Sequence, residues 1–195
     1  MQNEKLNLAE QSGADVSQTS VLSEPSSAHG VYTAVCRDAD GNVKWTDTVD
    51  NVVTTIGKNF LLDQGLNGSA FTASSFIGLI SATPTCVVGD TMGSHAGWTE
   101  VGYSTNYPLY TAPRKTSSWA GASSGSKVNS PSAFAFITTG GTVGGCFLVI
   151  NTAAGTMGTM GDVTGTLYSC GAFTGGNKTV APSDSLTVTY TASLT

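Results

Sequence analysis

The sequence predicts an all-β chain: a β-sandwich or jelly-roll-like domain over residues 30–195 with one short helix, preceded by an extended N-terminal arm over residues 1–29. Three observations predict it. Apolar residues recur with period two in several short runs, the spacing that sets alternate side chains on one face of a strand. Glycine-rich links such as "SGS", "TGG" and "TGGNK" separate those runs. Only one stretch of the chain has helical spacing.

Residues 1–29 carry no sustained hydrophobic period and are rich in Ser, Gln, Glu and Ala, with Pro25 near their end. Such a segment buries too little apolar surface to offset backbone ordering, at about 1–2 kcal/mol per residue. The stretch "EKLNLAEQ" is compatible with a short helix resting Leu6, Leu8 and Ala9 on a neighbour. The arm is therefore expected to act as an anchor on a partner, by strand addition or by docking Leu6, Leu8, Val16 and Leu22 in grooves.

At Gly30 the pattern changes. In "GVYTAVCRDADGNVKWTDTV", Val31, Thr33 and Val35 alternate with Tyr32, Ala34 and Cys36. "DADGN" makes a turn, and Val43 and Trp45 return, so the stretch reads as a hairpin. A calcium loop does not fit. Counting from Asp38, Gly41 is fourth rather than sixth, and Val49 stands where a bidentate Glu belongs. "TTIGKNFLLDQGL" has the helical spacing, with Ile56 and Phe60 four apart and Leu61 beside them. A helix is expected over about residues 55–64, capped by Thr54 or Thr55, ended by Gly65, and plugging the open side or end of a sheet.

The rest reads as strands and turns. "SFIGLISA" (75–82) is apolar on both sides, and "GWTEVGYS" alternates loosely. "SAFAFITT" puts Phe134 and Phe136 on one face. "VGGCFLVIN" is continuously apolar and reads as a central strand covered on both sides. "DSLTVTYTASL" sends Leu186, Val188, Tyr190, Ala192 and Leu194 one way and Thr187, Thr189 and Thr191 the other. Eight or nine short strands at this spacing make a sandwich or barrel.

Composition narrows the function. Charged residues are 11% of the chain, the net charge is −5 and Lys plus Arg number 8. With no basic run, a phosphate-tracking nucleic-acid binder is not expected. No apolar run approaches the roughly 20 residues of a membrane span, and the first residues do not read as a signal peptide. Cys36, Cys86, Cys146 and Cys170 stand far apart without a CxxC pair, so spacing supports neither a zinc cage nor a redox pair. Cys36 and Cys146 lie in apolar runs and read as buried thiols; a disulfide stays open. No cofactor is expected.

"GDTMGSHAGWTE" holds Asp90, Ser94 and His95, the side-chain types of a hydrolase triad. A triad needs its base within hydrogen-bond reach of the nucleophile, beside an oxyanion hole. Ser94 and His95 are adjacent, so in a strand they face opposite ways, and no GxSxG elbow occurs. The stretch reads as a loop in which Asp90 or Ser94 bonds backbone, while His95 and Trp98 serve packing or an interface.

Several segments together, "NVVTTIGKNFLLDQGLNGSAFTASSFIGLIS", "GDTMGSHAGWTE", "GGCFLVI" and "GTLYSCGAFTGGNKTVAPSDSLTVTYTASLT", with the hairpin "VCRDADGNVKWTDTVDN", resemble small virion structural proteins of tailed, chiefly short-tailed, bacteriophages. The resemblance covers roughly residues 30–195 and brings no catalytic residues. It implies a protein made in the host cytoplasm and resident in the virion. Two roles follow. The first is a capsid decoration or cement protein, its partners the major capsid protein or connector and tail proteins. The second is a head or tail fibre contacting a host-surface glycan, with Tyr103, Tyr107, Tyr110 and Trp119 of "TNYPLYTAPRKTSSW" as stacking platforms or, alternatively, as packing and interface residues. A homo-oligomer, trimer or dimer, is expected in either case. A cell-envelope hydrolase or lyase finds neither paired carboxylates nor a triad.

Overall fold

The structure is a computed structural model and describes residues 27–66, 74–102, 108–111, 114–150 and 159–195. Among these residues the chain forms β1 (Ala28–Arg37), β2 (Val43–Asp50), β3 (Val52–Val53), α1 (Thr55–Leu66), β4 (Ser75–Ile80), β5 (Lys115–Thr116), β6 (Ser126–Val128), β7 (Ser132–Ala135), β8 (Gly141–Val143), β9 (Gly145–Ile150), β10 (Thr166–Ala172), β11 (Lys178–Val180) and β12 (Ser185–Leu194). There are more strands than the eight or nine expected. The additional ones are two- or three-residue pieces such as β3, β5 and β11, too short to display a period.

The fold is an all-β sandwich of antiparallel sheets. One sheet runs β2-β1-β12-β6, with β7 pairing the other end of β12; the second runs β3-β10-β9-β4-β5; β11 and β8 form a small ribbon. β1 pairs β12 along its full length, from Ala28 opposite Leu194 to Arg37 opposite Ser185. Beyond it, the Ser27 N–H donates to the Thr195 carbonyl at 2.6 Å. Residues 27–29 thus belong to the sandwich rather than to the arm. Backbone pairing with the C-terminal strand orders them without needing an apolar period. Leu6, Leu8, Val16 and Leu22 lie outside the described residues.

Alternation decides what each strand buries. Tyr32, Ala34 and Cys36 of β1 and Leu186, Val188 and Tyr190 of β12 meet Ile77, Leu79, Cys146, Leu148 and Tyr168 of the opposite sheet in one core. The alternate residues Phe147 and Val149 of β9 point the other way, into a second core with Ile80, Met92, Trp98, Leu167 and Cys170. All six residues of β9 are buried. Its continuous apolar run is therefore that of a central strand covered on both faces. In the β1–β2 turn, the Asp38 carboxylate accepts the N–H groups of Asp40 and Asn42, and Gly41 supplies the positive φ of 87°.

Helix α1 begins as expected. The Gly57 N–H donates to Thr54 Oγ1 at 3.1 Å, a side-chain N-cap, while the Thr54 hydroxyl donates to the Leu167 carbonyl. Gly57 lies on the β10 backbone so closely that a Cβ there would stand 2.5 Å from the Tyr168 carbonyl oxygen. Phe60 and Leu61 pack on the first core and Ile56 on the second. The helix runs to Leu66, so Gly65 lies inside its last turn instead of ending it.

The ribbon is tied to the first sheet at Asp47. Lys178 Nζ stands 2.7 Å from Asp47 Oδ2, and Thr174 Oγ1 and the N–H groups of Thr48 and Gly175 also donate to this carboxylate. Burial opposes the charged form, but these donors outweigh it and hold the carboxyl down at about 2. An unfolded Asp titrates at about 3.9. The stabilisation is therefore complete above that value and is lost as pH falls through about 2. Asp47→Asn is expected to cost about 1–2 kcal/mol at neutral pH. Urea unfolding should show this gap closing between about pH 4 and pH 2; a gap that stays constant to pH 2 would contradict the assignment.

Candidate functional site

The "GDTMGSHAGWTE" stretch lies in the segment 81–102, which folds back over the outer face of the second sheet. Backbone bonds hold it at several points: Ser81 N–H to the Thr99 carbonyl, Thr85 N–H to the Gly97 carbonyl, and Val101 N–H to the Leu79 carbonyl. Helix α1 holds it too, through the Thr55 N–H to the Val88 carbonyl at 2.9 Å. Gly97 crosses Thr85 where a Cβ would come within 2.1 Å of the Thr85 carbonyl oxygen. Among the described residues of "GWTEVGYS", Gly97 to Gly102, no strand forms: Glu100 bridges Ile80, and Val101 and Gly102 then turn, Gly102 with φ of 84°.

The three triad-type residues do not form a triad in this geometry. The His95 ring stacks on Trp98 with centroids 3.7 Å apart, and His95 Nδ1 lies 3.0 Å from the Trp98 carbonyl oxygen. Asp90 is turned to the indole instead: Trp98 Nε1 and the Val87 N–H each donate to Asp90 Oδ2 at 3.1 Å. Ser94 exchanges backbone bonds with Thr91 in a tight turn. Asp90 thus organises the loop, as the sequence suggested for a loop acid.

The other aromatic candidates separate. Trp98 is 6% exposed and Tyr110 1% exposed, so both pack within the chain and neither is available as an interface or stacking platform. Tyr110 stands edge-on to Phe134 and Phe136. Burial, with the Glu100 charge behind it, pushes its phenol far above the usual range. Its irregular surroundings offered no period from which that burial could be read. Trp119 is half-buried. It donates from Nε1 to Ser75 Oγ at 2.7 Å and borders an open groove of about 550 Å³ with Phe60, Leu61, Ile150 and Tyr168. His95 is half-buried at the edge of a small pocket of about 150 Å³. Tyr103 and Tyr107 lie outside the described residues.

Two constellations in the same region were not foreseen. In the first, Arg114 and Glu100 form a buried two-pronged ion pair, Nε to Oε1 at 2.7 Å and Nη2 to Oε2 at 2.8 Å. Arg114 also donates to the Asp162 carbonyl, and Glu100 accepts the Gly161 N–H. The pair therefore ties segment 81–102 to the stretch before β10. It lines the small pocket, but its charges are spent on each other and on backbone, which makes it a structural clamp. In the second, Cys86 and Asp90 of the loop meet Cys170 of β10. The Cys86 thiol beside it, together with burial, pushes the Cys170 thiol far above its usual range. All four cysteines are free. Neither constellation has a sequence signature, because each joins residues that only folding brings together.

The class that fold and site define is an all-β sandwich whose outer face is roofed by a long, internally bonded loop. No protein-family model matches the chain, and no curated protein matches it.

Proposed function

We propose that the chain is a non-enzymatic structural protein of a tailed-phage particle, a capsid decoration or cement protein anchored by its N-terminal arm. The observation that carries this reading is the closure of the sandwich at Ser27 and Thr195, whose backbones bond each other in both directions. The β1–β12 pairing is closed at these two residues, and in this reading residues 1–26, which precede Ser27 in sequence, engage a capsid partner. The triad-type residues engaged in loop packing support a non-catalytic role. Exposed Val43, Val128 and Ile137 offer apolar surface for neighbours, in keeping with a homo-oligomer of closed symmetry, trimer or dimer. The partners in this reading are the major capsid protein or connector and tail proteins.

One observation favours the second reading, a head or tail fibre that contacts host-surface glycan. Trp119 walls an open groove that Gln64 and Lys127 also border, an aromatic surface beside hydrogen-bonding groups. Copy number separates the two: a cement protein is present at capsid stoichiometry, a fibre in few copies.

Deleting residues 1–26 tests the anchor. The truncated protein is expected to fold and to keep its oligomeric state, yet to be lost from purified particles on sedimentation. Truncated chain retained at the normal copy number would refute the anchor.

A further inference from the structure

The meeting of Cys86, Asp90 and Cys170 goes beyond what loop packing requires. Their ligand atoms, two sulfurs and a carboxylate oxygen, all lie within 4.8 Å of one another. Asp90 and Cys170 are buried and Cys86 is half-buried. A tetrahedral zinc-type ion with bonds of about 2.0–2.3 Å sets its ligand atoms roughly 3.5–3.8 Å apart. The three donors thus need to close by only about an ångström around a central ion.

The donors sit on held backbone. Cys170 is on β10, paired on one side to β9 and on the other to β3. Cys86 stands between Thr85, bonded to Gly97, and the Val87–Asp90 turn, in which the Asp90 N–H donates to the Val87 carbonyl at 3.0 Å. The Asp90 carboxylate is oriented by Trp98 Nε1 and the Val87 N–H. These are the outer partners that fix a ligating carboxylate and tune its affinity. Trp98 is itself clamped between His95 and Phe147, with ring centroids at 3.7 and 5.1 Å.

We propose that Cys86, Asp90 and Cys170 form a binding site for one thiophilic divalent cation of the zinc type. Paired thiols beside a single carboxylate select such an ion over calcium or magnesium, which prefer sites made of oxygen alone. Water on the half-exposed Cys86 side completes the fourth position. On binding, two metal–sulfur bonds form and each thiol releases its proton to solvent, with no change in oxidation state. The bound ion would fasten the roof segment 81–102 to the central sheet.

Cobalt(II) is the probe. The full-length chain, reduced and freed of metal, should take up one equivalent per chain. It should then show thiolate-to-cobalt charge transfer and the visible bands of a tetrahedral site. Cys86→Ser and Cys170→Ser should each abolish the charge-transfer band, whereas Cys146→Ala, at a thiol in the other core, should retain it. Trp98→Phe keeps an aromatic ring, smaller than the indole, but removes the N–H that orients Asp90, and should weaken cobalt binding about tenfold. Because Cys170 is buried, the partly exposed Cys86→Ser keeps the test decisive if Cys170→Ser fails to fold. Reduced, folded protein that takes up no cobalt would overturn the proposal. So would uptake unaffected by Cys86→Ser, or isolation of Cys86 and Cys170 as a disulfide with no metal uptake after reduction.

Discussion

Arg114→Ala is expected to destabilise the protein by about 3–5 kcal/mol, the cost of leaving one charge of a buried ion pair uncompensated. The Arg114 side chain is fully buried and that of Glu100 is 5% exposed, so the stranded carboxylate is largely withdrawn from bulk water. The change also removes the Arg114 donor from the Asp162 carbonyl, leaving the Gly161 N–H bond to Glu100 to hold the stretch before β10 to segment 81–102. Glu100→Ala should cost a similar amount, because it strands the guanidinium. Arg114→Lys should not rescue, since an ammonium cannot span both carboxylate oxygens. Replacing both partners together by Met and Leu should recover most of the loss, because the desolvation penalty disappears with the charges. Urea unfolding of the four variants decides the matter. A loss below about 1 kcal/mol for Arg114→Ala is the size expected of an exposed pair and would contradict the buried clamp.

The elements legible in the sequence are those whose signal is local. The β1–β2 hairpin is written in the alternation of Tyr32, Ala34 and Cys36 and in the Asp-Gly-Asn turn. β12 is written in Leu186, Val188 and Tyr190, and β9 in its unbroken apolar run. The start of α1 is written in Thr54. The roof over the second sheet was not legible. Met92, Trp98 and Val101 are buried, but they sit at no regular spacing, because an irregular segment satisfies its backbone through individual bonds rather than a ladder. For Tyr110 the packing alternative held, although no regular spacing marked it as a core residue. The Arg114–Glu100 clamp and the Cys86–Asp90–Cys170 cluster were hidden for a different reason. Their members come from separate segments, and sequence spacing reports only neighbours within one element. What could be read at the site was negative and local: adjacent Ser94 and His95 make a poor nucleophile–base pair. In the structure His95 turns to Trp98.

Phe147→Ala is expected to cost about 3–5 kcal/mol, the range for emptying a fully buried aromatic site. Phe147 is 0% exposed and stands at the centre of the second core. Its ring tilts against Trp98 at 5.1 Å, and the Arg114 guanidinium lies 5.2 Å from its centroid. Beside it, β4 carries Gly78 directly opposite Phe147. A Cβ at Gly78 would stand 2.2 Å from the Phe147 ring, so the glycine is there to admit the aromatic. This gives a sharper test than the single change. In the wild-type background Gly78→Ala should destabilise by about 1–3 kcal/mol through overpacking. In the Phe147→Ala background the added methyl enters vacated space, and the same change should cost almost nothing or stabilise. The double-mutant cycle is therefore expected to show a coupling of more than about 1 kcal/mol, within the range for residues in contact. If the two losses instead add to within about 0.5 kcal/mol, as for distant and independent sites, the ring does not cover Gly78. The second core would then be packed differently, and the roof that holds Trp98, Asp90 and Cys86 would lose its central support.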